Sequence, residues 1–126
     1  MTSCPGVTVK TSPDYAPDAL LIVPLWGPVK GAEAIRRHNE RIRSAFPGAR
    51  LTVSRPVVRD DRRAFEWEYR GINAGPLATP HGVMSATNRQ VILRGATFLR
   101  FTPEGRIAEE HRYYDLCGLL EQLGVA

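Results

Sequence analysis

Cysteine, lysine, methionine and long apolar runs are all scarce in this sequence, and each shortage closes off a class of protein. The two cysteines, Cys4 and Cys117, lie near opposite ends without a C-x-x-C spacing, so neither a disulfide framework nor a zinc ribbon is indicated. Cys117 reads as a small buried hydrophobe. The longest apolar run, residues 19–25, contains Pro24 and is too short to cross a bilayer, and no basic start followed by an apolar stretch marks a leader. The chain therefore reads as cytoplasmic, without membrane contact. The three histidines, His38, His81 and His111, lack ligand spacing, so no metal is expected. There is no Gly-rich phosphate loop, no G-x-S-x-G elbow and no nucleophilic cysteine motif, which argues against phosphoryl and hydride transfer. All but two of the 17 basic residues, Lys10 and Lys30, are arginine, and the net charge is +4. A nucleic-acid binder gathers such charge into a stripe with exposed aromatics. Here Arg36, Arg37, Arg41 and Arg43 read as the solvated face of one helix, and Arg62 and Arg63 follow Asp60 and Asp61 in a turn, so no nucleic-acid partner is expected.

What is present is the composition of an ordinary globular chain, 43% hydrophobic and 24% charged over 126 residues, the size of one domain. Residues 1–19 carry Pro5, Pro13 and Pro17 with little periodicity and read as irregular, with 1–13 a lead-in to the domain. Residues 20–23 form a short apolar strand stopped by Pro24. After a Trp26-Gly27-Pro28 turn, Ala32, Ile35, Ile42, Ala45 and Phe46 recur at helical spacing until Pro47-Gly48. From Leu51 the period becomes two. Residues 51–58 and 63–70 read as antiparallel strands, with Phe65, Trp67 and Tyr69 on one face and Glu66, Glu68 and Arg70 on the other. A loop over 71–88 leads to strands at 89–101 and 106–114, with Gly95 marking a bulge. Leu116, Leu119, Leu120 and Leu123 then form the stripe of a short helix, capped by Asp115 and ended by Gly124. A helix followed by a run of strands argues for an α+β fold.

Two stretches carry a family likeness. They are Tyr15-Ala16-Pro17-Asp18-Ala19 followed by Gly31-Ala32-Glu33-Ala34-Ile35, and Gly105-Arg106-Ile107-Ala108-Glu109 running into Tyr113-Tyr114-Asp115-Leu116 and Gln122-Leu123-Gly124. From about residue 14 onward the chain resembles the SnoaL-like polyketide cyclases of the nuclear transport factor two superfold. The resemblance implies a cone formed by a curved mixed sheet wrapped over helices, a deep apolar cavity and a homodimer packed through the outer sheet face. It also implies cofactor-free ring closure, in which an aspartate takes a proton beside a carbonyl with a histidine nearby. The positions that would carry that histidine and aspartate hold Phe98 and Arg112, and Asn73 stands in Gly71-Ile72-Asn73-Ala74-Gly75 where many relatives have Gly-x-His-x-Gly. Too few residues precede Tyr15 for the relatives' first helix at about 1.5 Å per residue, so that helix is expected to be short or absent, the start being truncated or the cone more open.

With Arg112 pointing into the cavity, strand alternation places Glu110 and Tyr114 beside it and Ile107, Glu109, His111 and Tyr113 outside. Glu110 and Arg112 can serve as a general base held by a cation, or as a structural ion pair. Trp67 and Tyr69 read as cavity walls or as core packing, and Trp26 as the border of the entrance or a cover over the core. Phe98 and Asn73 complete the candidate lining. His81, in the Pro80-His81-Gly82 loop, is either a mobile catalytic imidazole or a surface histidine, whereas His38 reads as a satisfied core histidine. Asp115 is read as an N-cap and not as a catalytic carboxylate. The function these residues suggest is a cofactor-independent cyclase, isomerase or hydrolase acting on a small hydrophobic carbonyl or epoxide compound. The alternative is a non-catalytic protein that binds or carries such a molecule.

Overall fold

A computed structural model describes residues 14–125, so the lead-in at 1–13, Cys4 and the expectation of a short or absent first helix lie outside the described residues. The elements, in chain order, are β1 (Tyr15–Val23), β2 (Gly27–Lys30), α1 (Ala32–Ala45), β3 (Arg50–Val53), β4 (Val57–Arg59), β5 (Arg62–Ile72), β6 (Leu77–Thr79), β7 (Gly82–Met84), β8 (Gln90–Phe101), β9 (Ile107–Tyr114) and α2 (Leu116–Leu123). Seven strands form one sheet in the order β2-β1-β9-β8-β5-β3, with β4 also on β5. Every pairing is antiparallel except β1 with β9, so the sheet is mixed. This is the α+β architecture the periodicity predicts.

Four local expectations are corrected. Strand β1 starts at Tyr15 rather than Leu20, because the chain slips register between those two residues, around Pro17, which has no N–H to give to a ladder. The stretch at 51–58 divides into β3 and β4 before Pro56. There Ser54 N donates to Glu66 O at 2.8 Å and its hydroxyl accepts from Glu66 N at 2.9 Å. The 71–88 loop contains the β6–β7 hairpin, closed by Thr79 Oγ1 donating to Gly82 O at 2.7 Å. Gly95 is no bulge, since β5 and β8 pair without a break across it. A Cβ there would run into the Trp67 indole and the Tyr113 carbonyl, so the glycine makes room for a ring lying flat on β8.

Helix α1 buries Ala32, Ile35, His38 and Ala45 and packs against β1, β2 and β6. Helix α2 starts as expected: Asp115 Oδ1 accepts from Gly118 N at 3.0 Å, and Gly124 closes the helix in the left-handed region at φ 77°. Cys117 is exposed rather than buried, because α2 turns Leu119 and Leu123 inward and position 117 lies on the opposite side of the helix from both. The core has two parts, one around Ala45, Phe46, Leu77, Val91, Leu119 and Leu123, the other around Ala16, Ala19, Leu21, Val23 and Ile35. Fully buried Leu21 and Ile35 each contribute about 1.5–3 kcal/mol of hydrophobic stabilisation. Trp26 and Tyr114 pack against both parts and join them. Among the described residues no helix is long and apolar enough to cross a membrane.

Candidate functional site

Alternation along β9 sends Glu110, Arg112 and Tyr114 to the inner face of the sheet and Glu109, His111 and Tyr113 to the outer face, whereas Ile107, expected outside, is buried because the ladder irregularity opposite Arg100 and Phe101 breaks the alternation before Glu109. Parallel pairing lays β1 beside β9, and α1 crosses above. Tyr15 from β1 and Asn39 from α1 thereby meet Glu110 and Arg112, although the sequence separates Tyr15 from Glu110 by 95 positions.

The four side chains form one network. Tyr15 Oη donates to Glu110 Oε1 at 2.6 Å, Arg112 Nε donates to Glu110 Oε2 at 2.7 Å, and Arg112 Nη2 donates to Asn39 Oδ1 at 2.9 Å. Longer contacts of 3.4 and 3.5 Å from Arg112 and Asn39 converge on the Tyr15 oxygen. Glu110 is 7% exposed, so its charge is tolerated only because both oxygens are engaged and a guanidinium is alongside. Burial and the neighbouring Glu110 charge push the Tyr15 phenol up to about 12, so it remains a donor across the physiological range. Burial pulls the Arg112 guanidinium down, but the Glu110 carboxylate outweighs it and the net direction is upward.

An aromatic wall flanks the network. Trp67 donates from Nε1 to Thr97 Oγ1 at 2.9 Å and meets Tyr114 edge to face at 6.0 Å. Burial raises the Tyr114 phenol to about 12, against the pull of Arg112. Tyr69 lies deeper in the core, edge to face with Phe46 at 5.8 Å, and its phenol is raised by burial. Trp26 covers the core: its Nε1 donates to Ala78 O at 3.2 Å while its ring meets His38 at 4.9 Å.

Tyr15 and Asn39 are the network side chains that sequence reasoning passed over, and His38 stands next to Asn39 on α1. His38 is 1% exposed, and its Nδ1 has no hydrogen-bond partner among the described residues, so it is not the satisfied core histidine expected. Burial, then the Arg112 and Arg41 charges, lower its imidazole to about 4, with Glu110 opposing. The available signal was its place on the apolar stripe of α1, three residues after Ile35 and four before Ile42.

Three candidates fall elsewhere. Phe98 lies on the outer face, 50% exposed and edge to face with Tyr113, opposite His111 in the ladder. The residue across from Arg112 is Thr97. Asn73 is a buried staple, its Nδ2 donating to Ala45 O and Gly75 O and its Oδ1 accepting from the Thr87 N–H and hydroxyl, which uses its hydrogen-bonding capacity inside the scaffold. His81 is exposed in the β6–β7 turn, away from the network. In place of a purely apolar cavity, the interior presents a polar network behind aromatic rings. Two hollows of about 200 and 330 Å³ open elsewhere, on the outer face and beside the β8–β9 turn. Among the described residues no three His, Cys, Asp or Glu side chains converge as a metal centre would require.

A mixed sheet packed on helices, with an ionisable network on its concave side, defines a protein of the nuclear transport factor two and ketosteroid isomerase type. The particular family is shown by sequence: the model of the SnoaL-like domain family matches residues 13–110, and the chain belongs to that family. Solved structures agree on the fold. A protein of Jannaschia sp. CCS1 described as a SnoaL-like polyketide cyclase superposes with a TM-score of 0.78 at 18% identity, covering 90% of this chain and 75% of the other. AclR of Streptomyces galilaeus, described as a hydroxylase, gives 0.71 at 21% identity over 89% and 79%. A Catenulispora acidiphila protein of ketosteroid isomerase-like fold, bound to trimethylamine, gives 0.69 at 23% identity over 89% and 78%. A comparison with curated proteins returns no match.

Proposed function

We propose that this chain is a cofactor-independent acid–base enzyme of the cyclase, isomerase or hydrolase kind, acting on a small hydrophobic carbonyl or epoxide compound bound against Trp67 and Tyr114. The observation that carries this reading is the buried Glu110 carboxylate, held between the Tyr15 hydroxyl and the Arg112 guanidinium on the concave face. In the reaction Glu110 is the proton acceptor. Tyr15, still protonated, donates toward the oxygen on which negative charge develops, and Arg112 stabilises that charge. Asn39 fixes the guanidinium plane. One observation favours a second reading, a non-catalytic binding protein: both Glu110 oxygens are already engaged by Tyr15 and Arg112.

The test is a mutational cycle. Glu110→Gln keeps the shape and removes the base, so turnover of a flat hydrophobic ketone or epoxide is expected to fall about 100-fold or more while binding changes little. Arg112→Met leaves a buried carboxylate without its cation, a loss of about 3–5 kcal/mol in stability. The double variant is expected to lose less than the sum, because the unpaired charge is gone. Binding without turnover in the parent, unaltered by Glu110→Gln, would establish the carrier reading instead.

A further inference from the structure

On the convex side the strand register lines up two rows of side chains across β4, β5, β8 and β9. In the first, Val57 lies opposite Ala64, Ala64 opposite Phe98, and Phe98 opposite His111. Two residues along, Arg59 lies opposite Arg62, Arg62 opposite Arg100, and Arg100 opposite Glu109. Like charges set directly opposite one another destabilise a sheet, so three consecutive arginines in one row call for an anion to offset them. The carboxylate within the row serves only the last of the three. Glu109 accepts from Arg100 Nε at 3.3 Å through one oxygen, and its other oxygen lies 3.4 Å from His111 Nε2. Arg62 Nε is 3.8 Å from Asp61 Oδ1, beyond hydrogen-bonding distance. Arg59 forms no ion pair among the described residues. Two adjacent guanidiniums are thus left without a carboxylate bonded to them.

Between and over these rows lies the hollow of about 200 Å³. Its floor is low at Ala64, whose methyl group stands between the larger Val57 and Phe98, and the Phe98 ring is propped edge to face by Tyr113 at 5.8 Å. An apolar cavity of about 150 Å³ takes a benzene ring, so this hollow has room for one ring or a fused pair. The two rows are separated by about 6.6 Å, two residue rises along a strand. That is the reach from the centre of an aromatic ring, across its carboxylate, to a guanidinium nitrogen at about 2.8 Å. We propose that this hollow is a binding site for a small aromatic carboxylate, its ring over Ala64 between Val57 and Phe98 and its carboxylate held by Arg59 and Arg62. Each half of the ligand is needed. A neutral arene leaves the two guanidiniums facing one another, and an anion without a ring leaves Val57 and Phe98 in water. The site is separate from Glu110 and Arg112, which alternation places on the other side of the sheet, so it stands whether or not the concave network is catalytic.

The experiment titrates 2-naphthoate, its neutral isostere 2-naphthamide, and acetate into the parent protein and follows backbone amide signals by NMR. The expected result is that 2-naphthoate binds about fivefold tighter than 2-naphthamide, the scale of two solvent-exposed charged contacts, and that acetate does not saturate. The signals of Ala64, Phe98 and Arg59 are expected to move and those of Trp67 and Tyr114 to stay. The preference for the acid is expected to shrink as sodium chloride is raised from about 20 mM to about 500 mM. Arg59→Gln with Arg62→Gln is expected to abolish that preference while 2-naphthamide binding is kept. Arg37→Gln with Arg43→Gln, which removes the same charge from the exposed face of α1, is expected to retain it. Loss of the preference in both double variants would reduce it to net charge and overturn the site. Signal changes confined to Trp67 and Tyr114 would overturn it in favour of the concave face. Binding of neither aromatic probe would overturn it as well, leaving the hollow to the second copy of a homodimer packed through this face.

Discussion

His38 is a base kept from its proton, and that has a thermodynamic consequence independent of any ligand. In the unfolded chain the imidazole titrates near 6.5, whereas burial, Arg112 and Arg41 lower it to about 4 in the fold, with Glu110 acting in the opposite sense. The folded-state value is depressed, so between these limits the unfolded state binds more protons and stability falls as pH falls. At about 1.4 kcal/mol per unit, the loss across the window is on the order of 3 kcal/mol, and above pH 6.5 the effect is absent. Urea unfolding at pH 7 and pH 4.5 checks this: between them the parent is expected to lose about 2 kcal/mol more stability than His38→Leu, and equal losses in the two would refute the linkage. The residue scale is also where the sequence was least legible. A histidine at helical spacing looks the same whether its nitrogen is satisfied or orphaned, because the partner would come from another element. Phe98 failed for a different reason. Counting from the Gly105 turn crosses the irregularity between Arg100 and Phe101, where Ile107 pairs in place of Ala108, and one unnoticed residue moves a side chain to the opposite face.

Elements were read more reliably than residues wherever one face is apolar and the other polar. Trp67, Tyr69, Glu110, Arg112 and Tyr114 all lie on the face that alternation assigns, because a half-buried strand fixes its own parity. What alternation cannot convey is which strands are neighbours. The parallel β1–β9 pairing that brings Tyr15 to Glu110 joins opposite ends of the chain, so the site network was half visible at most. Helix α2 shows the opposite case, in which local chemistry suffices. Asp115 accepts from Gly118 N, and its side chain also occupies the space a Cβ at Gly118 would need, so cap and glycine fit together. Asp115→Ala is expected to lower stability by about 1 kcal/mol through loss of the cap and to leave binding and any turnover within twofold of the parent. Loss of activity at an unchanged melting temperature would instead make Asp115 a catalytic carboxylate.

For the molecule as a whole the unresolved feature is the convex side of the sheet. Single exposed apolar residues need no explanation, but here Val57, Ile72, Ile92, Phe98 and Tyr113 are all exposed on strands β4, β5, β8 and β9, a collection large enough to suggest a covered surface. Rows of opposite charge run between them: Arg70 and Arg94 bracket Glu68, and Arg100 pairs with Glu109 at 3.3 Å. A twofold axis through such a face sets like patches against one another, so apolar residues near the axis meet their own copies and the charged rows can exchange partners across it. We propose that this face forms a homodimer, with the hollow of about 200 Å³ lined by Val57, Phe98, Arg62 and Arg100 closed by the second copy. Light scattering at tens of micromolar is expected to give twice the 14.0 kDa mass of the chain. Replacing the apolar centre by the double change Phe98→Ser and Tyr113→Ser is expected to give the monomer, since the surface that the second copy would cover is then no longer apolar. The concave network is on the other side of the sheet, so the monomer is expected to keep the parent's binding of flat hydrophobic ketones. A parent protein that remains at 14.0 kDa throughout this range would refute the dimer and leave the exposed phenylalanine and tyrosine as ordinary surface residues.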